Sequence, residues 1–247
     1  MKVDLNADLG EGFGAYEYGE DERLFDVVSS ANIACGFHAG DPHTMRATVE
    51  ACVSRGVAIG AHPGLPDRLG FGRRELAISP REAADFILYQ VGALSGFARA
   101  AGGRLRHVKL HGAFYHMASK DANLAEEVVQ AVRSLDPGLL LYGLPGSCLE
   151  AAAAKFGIGY AAEGFADRAY LPDGQLVSRR LPGAVLERSE DVVRQALALA
   201  GQGRFQTLCV HGDTPQAAKL ARQIAEKLQQ EGFEIAAPHA NETRNVE

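Results

Sequence analysis

The sequence predicts an α/β fold closed into a single β/α barrel, and three observations predict it. Short apolar, β-branched runs alternate with longer helical patterns seven or eight times, as parallel strands joined by crossover helices do. The chain has 247 residues, a normal length for a barrel in one domain. Four of the eight histidines, His38, His62, His111 and His211, close apolar runs, and polar groups at strand exits suit a barrel mouth. An open doubly wound sheet shares the alternation; chain length and right-handed crossovers favour closure.

The elements follow in order. Strand candidates are residues 2–6, 31–35, 57–61, 107–111, 139–144, 158–163 and 207–211, with a weaker eighth at 233–238. Side chains alternate faces along a strand. In the first run Val3, Leu5, Ala7 and Leu9 oppose Asp4, Asn6 and Asp8. In the second, Asn32, Ala34, Gly36 and His38 oppose Ile33, Cys35 and Phe37. Gly60 and His62, then Lys109 and His111, repeat the division, as do Glu163, Phe165 and Asp167, and finally Cys209, His211 and Asp213. Buried parallel strands usually read as unbroken hydrophobics. Here polar and small residues gather toward the strand ends, which predicts a cavity with convergent polar groups at the C-terminal mouth.

Helix starts punctuate the runs. "SPRE" at 79–82 combines a serine cap, a first-turn proline and a glutamate three residues on, the pattern of a capping box. Its helix is expected to reach about Ala101. Asp41 before Pro42 reads as a cap, as does Thr214 before Pro215, with a last helix from Pro215 to about Gln230. The connection 63–78, "PGLPDRLGFGRRELAI", is the longest rich in Gly and Pro and is expected to act as a lid. One barrel domain over residues 1–240 and a polar tail over 241–247 complete the expected organisation.

Composition excludes several classes. A net charge of −6 argues against nucleic acid and anionic membranes as partners, because both need clustered cations. No apolar run reaches the 18 residues of a spanning helix, and "MKVDLNADLG" enters a strand pattern without a signal segment. A cytoplasmic location is expected. Cys35, Cys52, Cys148 and Cys209 form no Cys-x-x-Cys pair and read as buried reduced thiols. The Walker pattern, a strand-following G-x-G-x-x-G and a G-x-S-x-G elbow are all missing. His38 and His43 in "HAGDPH" do not give a metal spacing, since His43 falls in a helix's first turn, and His-Glu-x-x-His does not occur. No tightly bound metal is expected. Carboxylates with a lysine and several histidines fit acid–base hydrolysis.

Six ordered blocks, "VDLNADLGEGFG", "NIACGFHAGDP", "GAHPGLPDRLGFGRR", "VKLHGAFYH", "EGFADRAYLPDGQLVSR" and "CVHGDTP", resemble the LamB/YcsF family from about Val3 to Ala237. The family's lysine block more often reads V-K-P-H-G-A-L-Y-N; Leu110, Phe114 and His116 depart from it while Lys109, His111 and Tyr115 remain. The resemblance implies a seven-stranded barrel of the glycoside hydrolase/deacetylase type, with the eighth strand peripheral. It implies the A-subunit role in a 5-oxoprolinase, cleaving the lactam of 5-oxo-L-proline to L-glutamate. ATP, with its Mg, would be co-substrate of a complex with subunits B and C.

A lactam is a poor electrophile, so phosphorylating its oxygen and activating a water would both help. Asp4, Asp8 and Asp213 are candidates for the base, and Lys109 and His111 complete the expected catalytic set. Arg73, Arg74 and Arg168 could hold a carboxylate or phosphate. His38, His62 and His211 could donate protons or hydrogen bonds, and Asn6, Asn32 and Glu163 point into the same expected pocket. Two other readings stay open: a metal-dependent deacetylase-like hydrolase of sugar amides, and a non-catalytic substrate-binding subunit.

Overall fold

A computed structural model of the chain describes residues 1–16, 18–19, 21–171, 174–177, 181–186, 188–210 and 216–239. Elements run in the order β1 (Lys2–Leu9), α1 (Asp21–Leu24), β2 (Ser30–Ala34), α2 (Pro42–Arg55), β3 (Ala58–His62), α3 (Pro80–Ala100), β4 (Leu105–Lys109) and α4 (Gly112–Lys120). They continue with α5 (Ala122–Leu135), β5 (Leu140–Gly143), α6 (Cys148–Phe156), β6 (Gly159–Phe165), α7 (Ser189–Gly201), β7 (Thr207–Cys209), α8 (Ala217–Gln230) and β8 (Glu234–Ile235).

Strands pair in the order β2-β3-β4-β5-β6-β7-β1, and β1 also pairs with β2. That second pairing closes a seven-stranded parallel barrel. Strand β8 hydrogen-bonds only to the start of β1, Lys2 opposite Glu234 and Val3 opposite Ile235, so it lies outside the ring. The apolar phase of β1 packs outward under the helices: Val3, Leu5, Ala7 and Leu9 are all buried, and the core cluster joins them to residues of α2, α3, α5, α7 and α8. Truncating a side chain such as Leu5 to alanine in such a layer costs about 2–5 kcal/mol.

The caps form as the sequence dictates. Ser79 Oγ accepts from Glu82 N at 3.2 Å, and Glu82 Oε2 accepts from Ser79 N at 2.8 Å. Asp41 accepts from His43 N and Thr44 N at 2.8 and 3.0 Å. Backbone donors to Asp41, from Gly14 as well as from Thr44 and His43, hold its carboxyl down at about 2. Helix α3 buries Ala83, Ile87, Gln90, Val91, Leu94 and Ala98 on one stripe. Gln90 in that stripe accepts from Gly64 N at 2.9 Å and donates to Gly64 O at 3.0 Å. A core helix thereby fixes the first residues after β3, where the mouth begins. The last helix starts at Ala217, and the Thr214–Pro215 cap expected before it lies outside the described residues, as does the tail from 240 to 247. Among the described residues no helix is long and apolar enough to cross a membrane.

Candidate active site

The inward phase of the strands forms a stack of polar layers rather than the branched aliphatics that commonly fill such barrels. At the floor, Asp4 accepts from the hydroxyls of Ser29, Ser30 and Thr207 at 2.6, 2.7 and 2.6 Å. Burial raises its pKa despite those bonds. One layer up, Asn6 donates to Thr207 Oγ1 at 2.6 Å and to Glu163 Oε1 at 3.2 Å. Asn32 donates to Asn6 Oδ1 at 2.7 Å and to Asp8 Oδ1 at 2.8 Å, and accepts from His107 Nε2 at 2.8 Å. His107 needs the space above Gly60: a Cβ there would lie 1.9 Å from His107 Nε2, so only glycine fits. Burial drives the His107 pKa down to about 3, and the ring serves as a neutral donor stacked on Tyr142 at 4.0 Å.

Lys109 stands at the next level, 2 % exposed. Its ammonium lies 2.9 Å from Asp8 Oδ1, 2.8 Å from Glu163 Oε1, 3.2 Å from Asn6 Oδ1 and 3.1 Å from Cys209 Sγ. Burial alone would discharge a lysine; the carboxylates of Asp8 and Glu163 outweigh it and hold the pKa well above its ordinary value. Tyr115 donates to the other Glu163 oxygen at 2.9 Å. The Phe165 ring is 5.6 Å from the ammonium. Replacing a whole buried pair of this kind by packed apolar side chains is often neutral or stabilising, so its retention points to a use beyond stability.

The rim carries the histidines, each at the end of a successive strand. His62 ends β3 and sits with Nδ1 2.8 Å from the Lys109 carbonyl oxygen and Nε2 3.3 Å from Asp8 Oδ2. His111 precedes α4, with Nε2 2.8 Å from the Phe71 carbonyl oxygen and Nδ1 3.0 Å from His62 Nε2. His38 follows β2, its ring stacked on His111 at 3.7 Å and its Nε2 3.2 Å from Glu11 Oε1. Burial, then neighbouring imidazoles, hold His38 and His111 well below the usual histidine range.

The connection 63–78 is packed down over these rings. Phe71 takes φ 53° to present its carbonyl to His111, and Gly72 O accepts from Ala113 N at 2.9 Å. Arg68 donates to Gly36 O and to Gly40 O and lies over the Phe13 ring. The loop is fastened over the mouth on three sides.

Sequence reasoning placed Asn6, Asp8, Asn32, His38, His62, Lys109, His111 and Glu163 in one pocket, and the structure brings all of them together. Asp4 it places at the floor, behind Asn6 and away from the mouth. Arg74 leaves the site altogether: its guanidinium pairs with Asp67 and its side chain is 61 % exposed. Arg73 is also exposed and lies over the Phe71 ring at 4.9 Å. Arg168 is buried and donates to the carbonyls of Val177 and Ala184 at 2.6 and 3.3 Å, which fastens the segment after β6. His211 and Asp213 lie outside the described residues.

Sequence reasoning missed three residues. His107 shares the phase of Lys109 and His111, and strict alternation would have found it. Tyr115 is one helical turn beyond His111. Glu11 is of the odd phase that β1 turns outward, but Gly10 takes φ 70° and resets the chain so that Glu11 points into the mouth, 8 % exposed. Gly10 N is in turn held by Asp21 Oδ2 at 2.7 Å.

Comparison with known proteins gives consistent results. The LamB/YcsF family model matches residues 3–243. The 5-oxoprolinase A subunit of Methylococcus capsulatus is 52 % identical, the match covering 95 % of each chain. The protein of the same name from Tolumonas auensis is 51 % identical over 96 % of this chain and 99 % of its own. Among solved structures, the lactam utilization protein from Thermus thermophilus superposes with a TM-score of 0.91 at 46 % identity, covering 96 % of this chain and all of that one. A family 4 carbohydrate esterase from Streptomyces lividans shares the fold alone, with a TM-score of 0.53 at 13 % identity over 99 % of this chain and 96 % of that one.

Proposed function

The chain belongs to the LamB/YcsF family, and from that premise we propose that it is the A-type component of an ATP-dependent 5-oxoprolinase, the barrel in which the lactam of 5-oxo-L-proline is opened to L-glutamate. The names of its relatives support the reading, and so does the name of the Thermus protein that shares its fold and sequence. The observation that carries it is the buried Lys109 ammonium between Asp8 and Glu163 at the base of the mouth. A hydrolase of amides needs a donor where negative charge develops on the carbonyl oxygen and a base for water. Lys109 supplies the first and Asp8 the second, with Asn6 and Asn32 orienting both.

In the reaction, water oxygen bonds to the lactam carbonyl carbon and the ring C–N bond breaks. The leaving nitrogen takes a proton, and the products are the side-chain carboxylate and the amine of glutamate. Asp8 takes the proton from the attacking water and returns it to the leaving nitrogen as the ring C–N bond breaks. Phosphoryl transfer from ATP, with Mg as its companion, to the amide oxygen makes the carbonyl carbon easier to attack; C–N cleavage then leaves an acyl phosphate, and a second water releases inorganic phosphate and frees the carboxylate. We place that step with partner subunits B and C, because the sequence carries no P-loop. A cytoplasmic location fits a chain with four free thiols, Cys35, Cys52, Cys148 and Cys209.

The test assays glutamate and inorganic phosphate for this chain alone, for the partner subunits alone, and for the mixture. Coupled release only in the mixture is expected. Undiminished ring opening by the partners without this chain would overturn the reading, as would coupled turnover by this chain alone for the partner requirement.

A further inference from the structure

The rim histidines present a problem in proton placement. A carbonyl oxygen can only accept, so His62 carries its hydrogen on Nδ1, toward Lys109 O at 2.8 Å, and His111 carries its hydrogen on Nε2, toward Phe71 O at 2.8 Å. The remaining nitrogens, His62 Nε2 and His111 Nδ1, then face one another at 3.0 Å, each with a lone pair and no hydrogen between them. Carboxylate oxygens stand on either side: Asp8 Oδ2 is 3.3 Å from His62 Nε2, and Glu11 Oε1 is 3.6 Å from His111 Nδ1. His38 Nε2 lies 3.2 Å from the same Glu11 oxygen. Electron-pair donors this close in a buried site repel unless positive charge lies among them.

We propose that Glu11, His38, His62 and His111 form a binding site for one divalent first-row transition-metal ion. The ligand atoms of the four lie within 4.8 Å of one another. Donors about 2.1 Å from a common ion are separated by about 3.0–3.4 Å at bond angles between a right angle and the tetrahedral one, which is the range of the closest donor pairs here. A proton on one imidazole would relieve only the pair it joins; a cation at the centre satisfies every lone pair at once. The outer nitrogens of His62 and His111 donate to backbone carbonyls, the arrangement that orients metal-bound imidazoles. Three imidazoles and a carboxylate select zinc, cobalt or a similar borderline ion over magnesium or calcium, which take oxygen donors. The ligands come from the ends of β1, β2, β3 and β4, four neighbouring positions around the ring, and the ion would sit beside Asp8 and above Lys109.

This assignment does not depend on the reaction proposed above, and its test uses the isolated chain without substrate. The purified chain is stripped with a chelator and titrated by calorimetry with Zn²⁺ and, separately, with Mg²⁺. One equivalent of Zn²⁺ with saturable binding is expected, with Mg²⁺ at least about 100-fold weaker. In His62→Ala and His111→Ala, Zn²⁺ affinity falls by about 100-fold or more. Should either variant fail to fold by circular dichroism, Glu11→Gln and the wild-type Co²⁺ complex decide instead. Co²⁺ is expected to give the visible ligand-field bands of a low-coordinate nitrogen–oxygen site. Absence of one-to-one Zn²⁺ binding, weak multiple binding that the variants leave unchanged, or a Co²⁺ spectrum of the aquo ion would each overturn the site.

Discussion

The floor and the mouth of this barrel are made of similar residues and are equally withdrawn from water, yet they do different work. At the floor, Asp4 is saturated by three hydroxyls of Ser29, Ser30 and Thr207. Every partner is neutral and every bond is internal to the ring. At the mouth, the Lys109 ammonium lies between the carboxylates of Asp8 and Glu163, and imidazole nitrogens of His62 and His111 face each other at 3.0 Å. A closed network rigidifies a fold; an open one leaves valences for a ligand. The difference teaches that burial and inward phase do not by themselves mark a catalytic carboxylate.

Substitutions can break this contrast or sharpen it. The largest effect is expected at Lys109. Lys109→Met should reduce oxoprolinase turnover of the reconstituted complex more than about 1,000-fold, roughly 4 kcal/mol of barrier, and Asp8→Asn should do the same. Glutamate release measures it; more than a tenth of wild-type activity in either would remove that residue from the chemistry. Next comes the floor. Asp4→Ala leaves the buried hydroxyls of Ser30 and Thr207 and the half-buried one of Ser29 without their acceptor and should cost about 2–4 kcal/mol of stability, a fall of roughly 4–16 °C in Tm. Turnover of the folded fraction at 25 °C should stay within about tenfold. A kinetic collapse without a thermal one would put Asp4 back among the reacting groups.

A third effect runs through Asp21, whose carboxyl holds the turn that delivers Glu11 to the rim. Burial raises its pKa from 3.8 to about 6. A folded-state pKa above the unfolded one means stability that is present below pH 3.8 and lost as pH rises through about 6. The expected loss is at most about 3 kcal/mol. Urea unfolding at pH 4, 5, 6 and 7 should show Asp21→Asn gaining on the wild type as pH rises, and parallel curves would count against the shift. The smallest effect belongs to Arg74. Its charge is spent on Asp67 at an exposed site, so Arg74→Ala should leave kcat/KM within about threefold; a larger drop would restore the arginine to the substrate pocket.

The barrel itself was legible in the sequence because strand and helix periods differ and the strands alternate with helices throughout. The polar phase of β1, β2, β3 and β4 gave the pocket for the same reason. What alternation cannot convey is height: Asp4, Asn6 and Asp8 share a face, and only the register with Thr207 and Asn32 says which is floor and which is mouth. Nor does phase survive a left-handed residue, so Glu11 was hidden behind Gly10. Arg74 looked like an anion holder because a loop sequence does not disclose that Asp67 pairs with its side chain.

Closure of the ring has a consequence for the order in which the protein can be made. Strand β1 pairs with β7, and the hydrogen bond from Thr207 to Asp4 spans 203 positions of chain. At ordinary elongation rates β1 emerges from the ribosome about 10–40 s before its second neighbour exists. Throughout that interval one edge of β1 has backbone groups without partners, and the nascent chain is open to mispairing. The β1–β7 seam is therefore expected to close late in folding and to open early in unfolding. Thr207→Val should speed unfolding in a stopped-flow experiment while leaving the refolding rate nearly unchanged; slowed refolding would mean that the seam belongs to the nucleus instead.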